Sequence, residues 1–198
     1  TVVMDSPALY RKCVAKASFV MSDSEEVGEV GAKAFLKQGF LHFAYVPSAY
    51  EWDWSVLRGR GFQACLARAG FGCDVYRRLT PRERKDWTLD QKRLTRWLLA
   101  LPKPAAVLAA DDARARQVLE TCQLAGLNVP GDIALLGVDN DELVCENTAP
   151  TLSSIQPDFE AGDYEAAALL EQLMRRAVRK PQNRFYGIKR IVVRESSR

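Results

Sequence analysis

Histidine is all but missing from this chain; His42 is the single one. That scarcity removes the HExxH metal helix, the multi-histidine metal site and most serine- or cysteine-histidine pairs. His42 lies between Leu41 and Phe43 in an apolar run and is expected to be structural. The five cysteines, Cys13, Cys65, Cys73, Cys122 and Cys145, are odd in number and contain no CxxC, so neither a zinc ladder nor a disulfide framework is indicated. Cys65 and Cys122 fall on apolar helix positions and are expected to be buried thiols. Free thiols fit a reducing compartment, the cytoplasm. There is no GxSxG, no Walker loop and no GxGxxG after a strand; Gly59 and Gly61 sit inside a helical pattern. No apolar run approaches membrane-spanning length and no signal peptide is visible, so no membrane partner is expected. The chain opens at Thr1 directly in a strand, which points to a fragment.

Charge of one sign is also lacking overall, with 28 basic and 25 acidic residues and a net charge of +3. Nine Lys or Arg against Glu195 alone fall between Arg175 and Arg198. The cluster reads as a solvated helix end, a turn and edge strands, helped by the helix dipole. No recognition helix with turn spacing accompanies it, so direct DNA contact by this chain is not expected.

What is present is an alternation of strands and helices, with 47% apolar residues. Strands are predicted at Thr1–Met4, Ala17–Met21, Phe40–Val46, Cys73–Arg77, Ala105–Ala109, Ile133–Val138 and Ser153–Ile155. One or two more follow in the tail YGIKRIVVRES. Helices are predicted at Ser24–Gln38, Trp54–Ala69, Leu89–Leu101, Asp112–Ala125 and Asp158–Val178, with a short helix or irregular turn at Asp141–Thr148. The stripe Trp54, Leu57, Gly61, Phe62, Cys65, Leu66 and Ala69 has helical spacing. Pro7–Lys16 and the charged segment RRLTPRERKDW are predicted loops. This order implies an α/β fold, a parallel sheet with helices on both faces.

In such a sheet, Tyr50–Arg58, Asp111–Asp112 and Asp139–Asn140 gather at one C-terminal edge, where α/β proteins bind ligands. Carboxylates, an amide and a guanidinium suit hydroxyl recognition, and the indoles of Trp52 and Trp54 suit a sugar's C–H face. Each candidate has a structural alternative. Asp111 and Asp112 are natural N-caps, and Asp112 is spaced to pair with Arg116. Asn140 can fix a turn, Arg58 can be surface, and Trp54 can be a lid on the core. No catalytic residue emerges. A metal-assisted hydrolase or isomerase using Asp111, Asp112 and Asp139 remains an alternative, as hard cations take oxygen ligands.

The same segments resemble the effector-binding domain of the lac-repressor/galactose-repressor family, which shares the fold of periplasmic sugar-binding proteins. Ser22-Asp23 and the helix ending KQGF are similar to the family's segment between its lobes. Arg58-Gly-Arg-Gly61-Phe62 is similar to its R-x-x-G-F helix. Ala110-Asp111-Asp112-x-x-Ala115 is similar to its N-D-x-x-A turn, with Asp111 where the family has Asn or Thr. GLNVPGDIALLGVDN follows its G-x-x-V-P-x-D-I-x-V-x-G-x-D-[DN] signature. Pro150 to Ile155 resembles its P-x-L-T-x-I crossover. Trp54 four residues before Arg58, and the string from Asp112 to Arg116, resemble xylose-responsive transcription activators in particular.

The resemblance implies the type I periplasmic-binding-protein-like fold, two Rossmann-like parallel-sheet lobes. One lobe is expected at 39–153 and 186–198. The other, at 1–38 and 155–180, is incomplete, lacking its opening strands and helices, so exposed apolar surface is expected there. The implied function is sensing a monosaccharide effector, a pentose such as xylose, with no cofactor and no metal. The implied contacts are Arg58, Asp111 or Asp112, and Asp139, with Trp54 as a stacking platform and Asp23 facing the cleft near the lobe junction. The implied partners are a second copy in a homodimer and DNA, the latter through a separate domain absent from this chain. A transport solute-binding protein of the same fold is a further alternative, against which the free cysteines count.

Overall fold

The computed structural model describes residues 1–6, 14, 16–83, 87–175 and 180–198, and the backbone alone at Trp87. Most of the loop expected at Pro7–Lys16, with Cys13, lies outside the described residues. So does the expected last turn of the long helix, 176–178.

Two sheets organise the chain. The larger has six strands: β3 (His42–Val46), β4 (Asp74–Val75), β5 (Ala105–Ala109), β6 (Ile133–Val138), β7 (Ser153–Pro157) and β9 (Ile188–Val192). Their order is β4-β3-β5-β6-β7-β9, and all pairings are parallel except β7 with β9. The smaller sheet has the order β1-β2-β8, all parallel, from Val2–Met4, Ser18–Ser22 and Asn183–Tyr186. No described helix is long and apolar enough to cross a membrane.

The larger sheet is covered on both faces, which explains its unbroken apolar runs. Successive residues of a strand point to opposite sides. In β5, Val107 and Ala109 face a core with Leu94 and Leu98 of α3 (Trp87–Ala100) and Val118 and Cys122 of α4 (Asp112–Ala125). Ala106 and Leu108 face the other core, with Phe62 and Leu66 of α2 (Asp53–Arg68). Cys65 and Cys122 are buried, as their spacing predicts. His42 is not: it sits exposed at the opening of β3, because the sheet's burial begins at Phe43.

Helix α1 (Ser24–Lys37) packs on the larger unit. Its Val27 and Phe35 meet Phe43, Phe62 and Leu108 there. Two glycines make that contact close: a Cβ on Gly28 would stand 2.0 Å from the Arg58 carbonyl oxygen, and one on Gly61 would stand 2.0 Å from the Glu25 carbonyl oxygen. The backbones of α1 and α2 therefore meet where no side chain fits. Strand β7 likewise belongs to the larger sheet through Pro157. The chain thus crosses between units at Asp23, Asp158 and Gly187. These crossovers are tied together, the Asp23 amide donating to the Tyr186 carbonyl at 2.9 Å and the Asp158 amide to the Gly187 carbonyl at 2.9 Å.

Helix α6 (Phe159–Met174) covers one face of the smaller sheet, with Leu169 against Val20 and Tyr186. Phe185, Leu170 and Met174 remain exposed, the apolar surface expected for this lobe. The short helix α5 (Glu142–Cys145) follows β6, and a 3-10 turn at Glu195–Ser197 closes the chain. That turn is buried: Ser196 Oγ donates to the Leu135 carbonyl at 2.8 Å and accepts from the Ser153 amide at 2.9 Å.

Candidate functional site

A cleft of about 650 Å³ opens between the two sheets. That volume lies in the range of small-molecule pockets, roughly 300–1,000 Å³. The larger unit supplies Asp53, Trp54, Leu57, Arg58 and Asp139; the smaller supplies Asp5, Ser22, Asn183, Phe185 and Tyr186.

Arg58 is the centre of the first wall. It lies on the second turn of α2 and is 6% exposed, so its charge must be met inside the protein. One guanidinium nitrogen donates to the Ala110 carbonyl at 2.5 Å, at the end of β5. The other donates to Asp139 Oδ1 at 2.9 Å, after β6. The indole of Trp54, one turn earlier on α2, lies 4.8 Å from the guanidinium carbon. Helical i,i+4 spacing places the ring there. Arg58 Nε is buried without a partner among the described residues. The Asp139 side chain keeps 40% exposure at the cleft, so the pair is fixed but reachable.

The loop carrying Asp139 has unusual backbone. Asp139 has φ of 102° and Asn140 of 54°, both in the left-handed region that L-residues rarely adopt. Tertiary bonds hold it there. The Asp139 amide donates to the Ile155 carbonyl at 2.9 Å, the Asn140 amide to Ser154 Oγ at 3.0 Å, and the Asp141 amide to Asp112 Oδ2 at 2.7 Å.

Of the six residues expected at the site, the structure brings Arg58, Asp139 and Trp54 to the cleft. The other three do structural work at their positions. Asp112 is 2% exposed and its carboxylate is turned into the seam between α4 and β7, where Ser154 Oγ donates to Oδ1 at 2.7 Å. Asp112 is not among the described residues lining the cleft, and its pairing with Arg116 is not formed, since Arg116 bonds Glu120 instead. Burial pushes the Asp112 carboxyl up to about 7, against the lowering effect of its hydrogen bonds. Asp111 caps α4, accepting from the Arg114 amide at 2.7 Å, and burial raises its pKa. Asp23 caps α1 and accepts from the Glu26 amide at 3.0 Å. Neither Asp111 nor Asp23 is among the described residues lining the cleft. Trp52 is 39% exposed, its ring tilted by 49° against that of Tyr50. Asp111 is bonded to the Arg114 amide, Asp112 to Ser154 and the Asp141 amide, and Asp139 to Arg58, and among the described residues no group of three His, Cys, Asp or Glu is placed to hold a metal ion.

The second wall has no counterpart among the expected residues. Asp5, at φ 42°, accepts from the Ser22 amide at 2.9 Å and from the Tyr186 hydroxyl at 2.5 Å. Burial, then the bond to Asp5, raises the Tyr186 pKa, so the phenol stays neutral and donates. Ser22 Oγ is buried without a hydrogen-bond partner among the described residues. Phe159 of α6 and Phe185 of β8 give this side its apolar surface. Asp5 and Tyr186 are 181 positions apart, so no local pattern announces them.

Two units flanking a cleft agree with the two-lobed fold that the resemblance implies. Comparison with known families agrees: the periplasmic binding protein-like domain matches residues 32–197. The chain belongs to that family.

Among curated relatives, this periplasmic-binding-protein-like chain is 28% identical over 158 residues to the xylose operon regulatory protein of Escherichia coli (strain K12). That match covers 79% of the chain and 40% of the relative. It is 28% identical over 147 residues to the ribose operon repressor of the same strain, covering 74% and 44%. The chain therefore spans less than half the length of either relative. Among solved structures, a xylose-binding transcription activator superposes with a TM-score of 0.85 at 23% identity, covering 98% of this chain and 57% of that one. A LacI family transcriptional regulator from Enterococcus faecium with bound ribose superposes with a TM-score of 0.73 at 20% identity, covering 99% and 69%. These superpositions show the periplasmic-binding-protein-like fold of both lobes.

Proposed function

We propose that the chain is the effector-sensing part of a sugar-responsive transcription regulator, taking a monosaccharide, a pentose such as xylose, into the cleft between its two sheets. The observation that carries this reading is the Arg58–Asp139 pair, buried on the arginine side and open to the cleft on the carboxylate side. An ordered carboxylate accepts from sugar hydroxyls, and a fixed guanidinium donates to them. Trp54, already stacked on Arg58, offers an apolar face for C–H groups. Arg58 Nε and Ser22 Oγ are further polar atoms with which a hydroxyl-bearing ligand could pair. Asp5, Asn183 and Phe159 on the opposite wall would close on the same ligand. The xylose and ribose regulators among the relatives support the class of ligand.

The mechanism is binding between units, with the three crossovers at Asp23, Asp158 and Gly187 as hinges. A ligand that touches both walls favours the closed arrangement by its differential affinity and shifts that population. In the whole protein, which we take to be a cytoplasmic homodimer, the shift would reach DNA through a separate domain. No covalent step is involved.

Calorimetric titration of the full-length protein with xylose, arabinose, ribose and glucose tests the reading. Saturable heat with a pentose is expected. No heat with any of the four would overturn it.

A further inference from the structure

Asp112 is a buried carboxylate that the proposed sugar contacts leave unused. It stands one residue after the cap of α4, with its side chain directed toward the loop after β6. Both its oxygens are engaged with the segment that follows Asp139. Oδ2 accepts directly from the Asp141 amide at 2.7 Å. Oδ1 accepts from Ser154 Oγ at 2.7 Å, and the same Oγ accepts from the Asn140 amide at 3.0 Å. One side chain thus secures two successive amides, one directly and one through a hydroxyl.

The sequence makes room for this. A Cβ on Gly137 would fall 2.2 Å from Asp112 Oδ1, so the carboxylate lies where only glycine leaves space. The amides it holds immediately follow the positive-φ residues Asp139 and Asn140, a conformation that a free loop would leave. Two other bonds help from outside: Arg194 donates to the Asn140 side-chain oxygen at 3.0 Å, and the Cys145 thiol lies against the Asp112 carboxylate.

We propose that Asp112 is a positioning residue for ligand recognition: by holding the amides of Asn140 and Asp141 it keeps the Asp139 carboxylate aimed at Arg58 and the cleft. The proposal rests on the reading of Asp139 as a ligand contact. It makes Asp112 act through hydrogen-bond geometry and not through its charge. An asparagine there can still accept from the Asp141 amide with its oxygen and donate to Ser154 Oγ with its nitrogen, reversing one bond and keeping the frame.

The test uses the full-length protein, with xylose as the titrant and Asp112→Asn, Asp112→Ala and Ser154→Ala as variants. Asp112→Asn is expected to bind within about threefold of the parent, and Asp112→Ala about tenfold or more weakly. Ser154→Ala removes one arm and leaves a smaller hole, so it serves if Asp112→Ala does not fold; a several-fold loss is expected. Amide hydrogen exchange without sugar is the second readout. Faster exchange at Asn140 and Asp141 in Ser154→Ala, with the amides of β5 unchanged, is expected. Unchanged affinity in a folded Asp112→Ala or in Ser154→Ala would overturn the proposal. So would an Asp112→Asn as weak as Asp112→Ala, which would make the charge itself the contact. If the parent binds no sugar at all, the functional reading fails separately, and the exchange rates alone decide: acceleration upholds the positioning role and unchanged rates end it.

Discussion

Arg58 and Asp139 lie 81 residues apart and meet at 2.9 Å, one buried in the wall of the larger unit and the other open to the cleft. Neither side chain is free to wander. Arg58 is held by the Ala110 carbonyl and the Trp54 ring, and Asp139 by a loop whose amides are all engaged. A ligand meeting this pair need not order it first, which preserves affinity.

Arg58→Met keeps much of the side-chain length and removes the charge. It leaves the Ala110 carbonyl and Asp139 without their donor. Pentose affinity of the full-length protein is expected to fall by at least about tenfold, measured by calorimetry. An unchanged Kd would remove Arg58 from the site.

Trp54→Ala deletes the ring over the guanidinium, a contact worth about 0.5–2 kcal/mol. Affinity is expected to drop several-fold and Trp54→Phe to recover most of it. Intrinsic fluorescence should respond to sugar in the parent and lose most of that response in Trp54→Phe. A response retained in full would place the ligand elsewhere.

Gly61→Ala forces a methyl group into the Glu25 carbonyl, where the gap is 2.0 Å. The helices α1 and α2 must separate, at a cost of about 1–3 kcal/mol or more. Urea unfolding should show the loss directly. Gly70→Ala, at φ 84° with open space around it, reports backbone strain alone and serves as the comparison.

Asp112 gives a stability signature with a definite sign. Its carboxyl titrates near 3.8 when unfolded and at about 7 in the folded protein, because burial disfavours the anion. Between these values the folded state keeps a proton that the unfolded state has lost. Stability attributable to Asp112 therefore falls as pH rises from about 4 to about 7 and levels off above. Asp112→Asn removes that slope. The difference in urea midpoint between variant and parent should grow in the variant's favour across this window, and a constant difference would contradict the burial of the charge.

Much of this architecture was legible in residue order. Alternating strands and helices, the apolar runs of β5 and β6 and the cap at Asp111 all depend on neighbours within a turn or two. Arg58, Trp54 and Asp139 were also legible, because each follows a strand end or helix start that places it at one sheet edge. The opposite wall was not. Asp5, Ser22 and Tyr186 meet only because β8 pairs with β2 in parallel across the whole length of the chain.

Asp111 and Asp112 show the boundary most clearly. The sequence alone determined that acidic residues stand at the start of α4, since capping and strand ends are local chemistry. It could not determine which way adjacent carboxylates point. Only the tertiary structure decided that Asp111 closes the helix and Asp112 turns toward Gly137, Ser154 and the Asp139 loop. It likewise decided that α1 packs on α2 and the larger sheet, through glycines whose partners are 30 and 36 positions away. Periodicity reports which face of an element is apolar; only packing settles what that face meets.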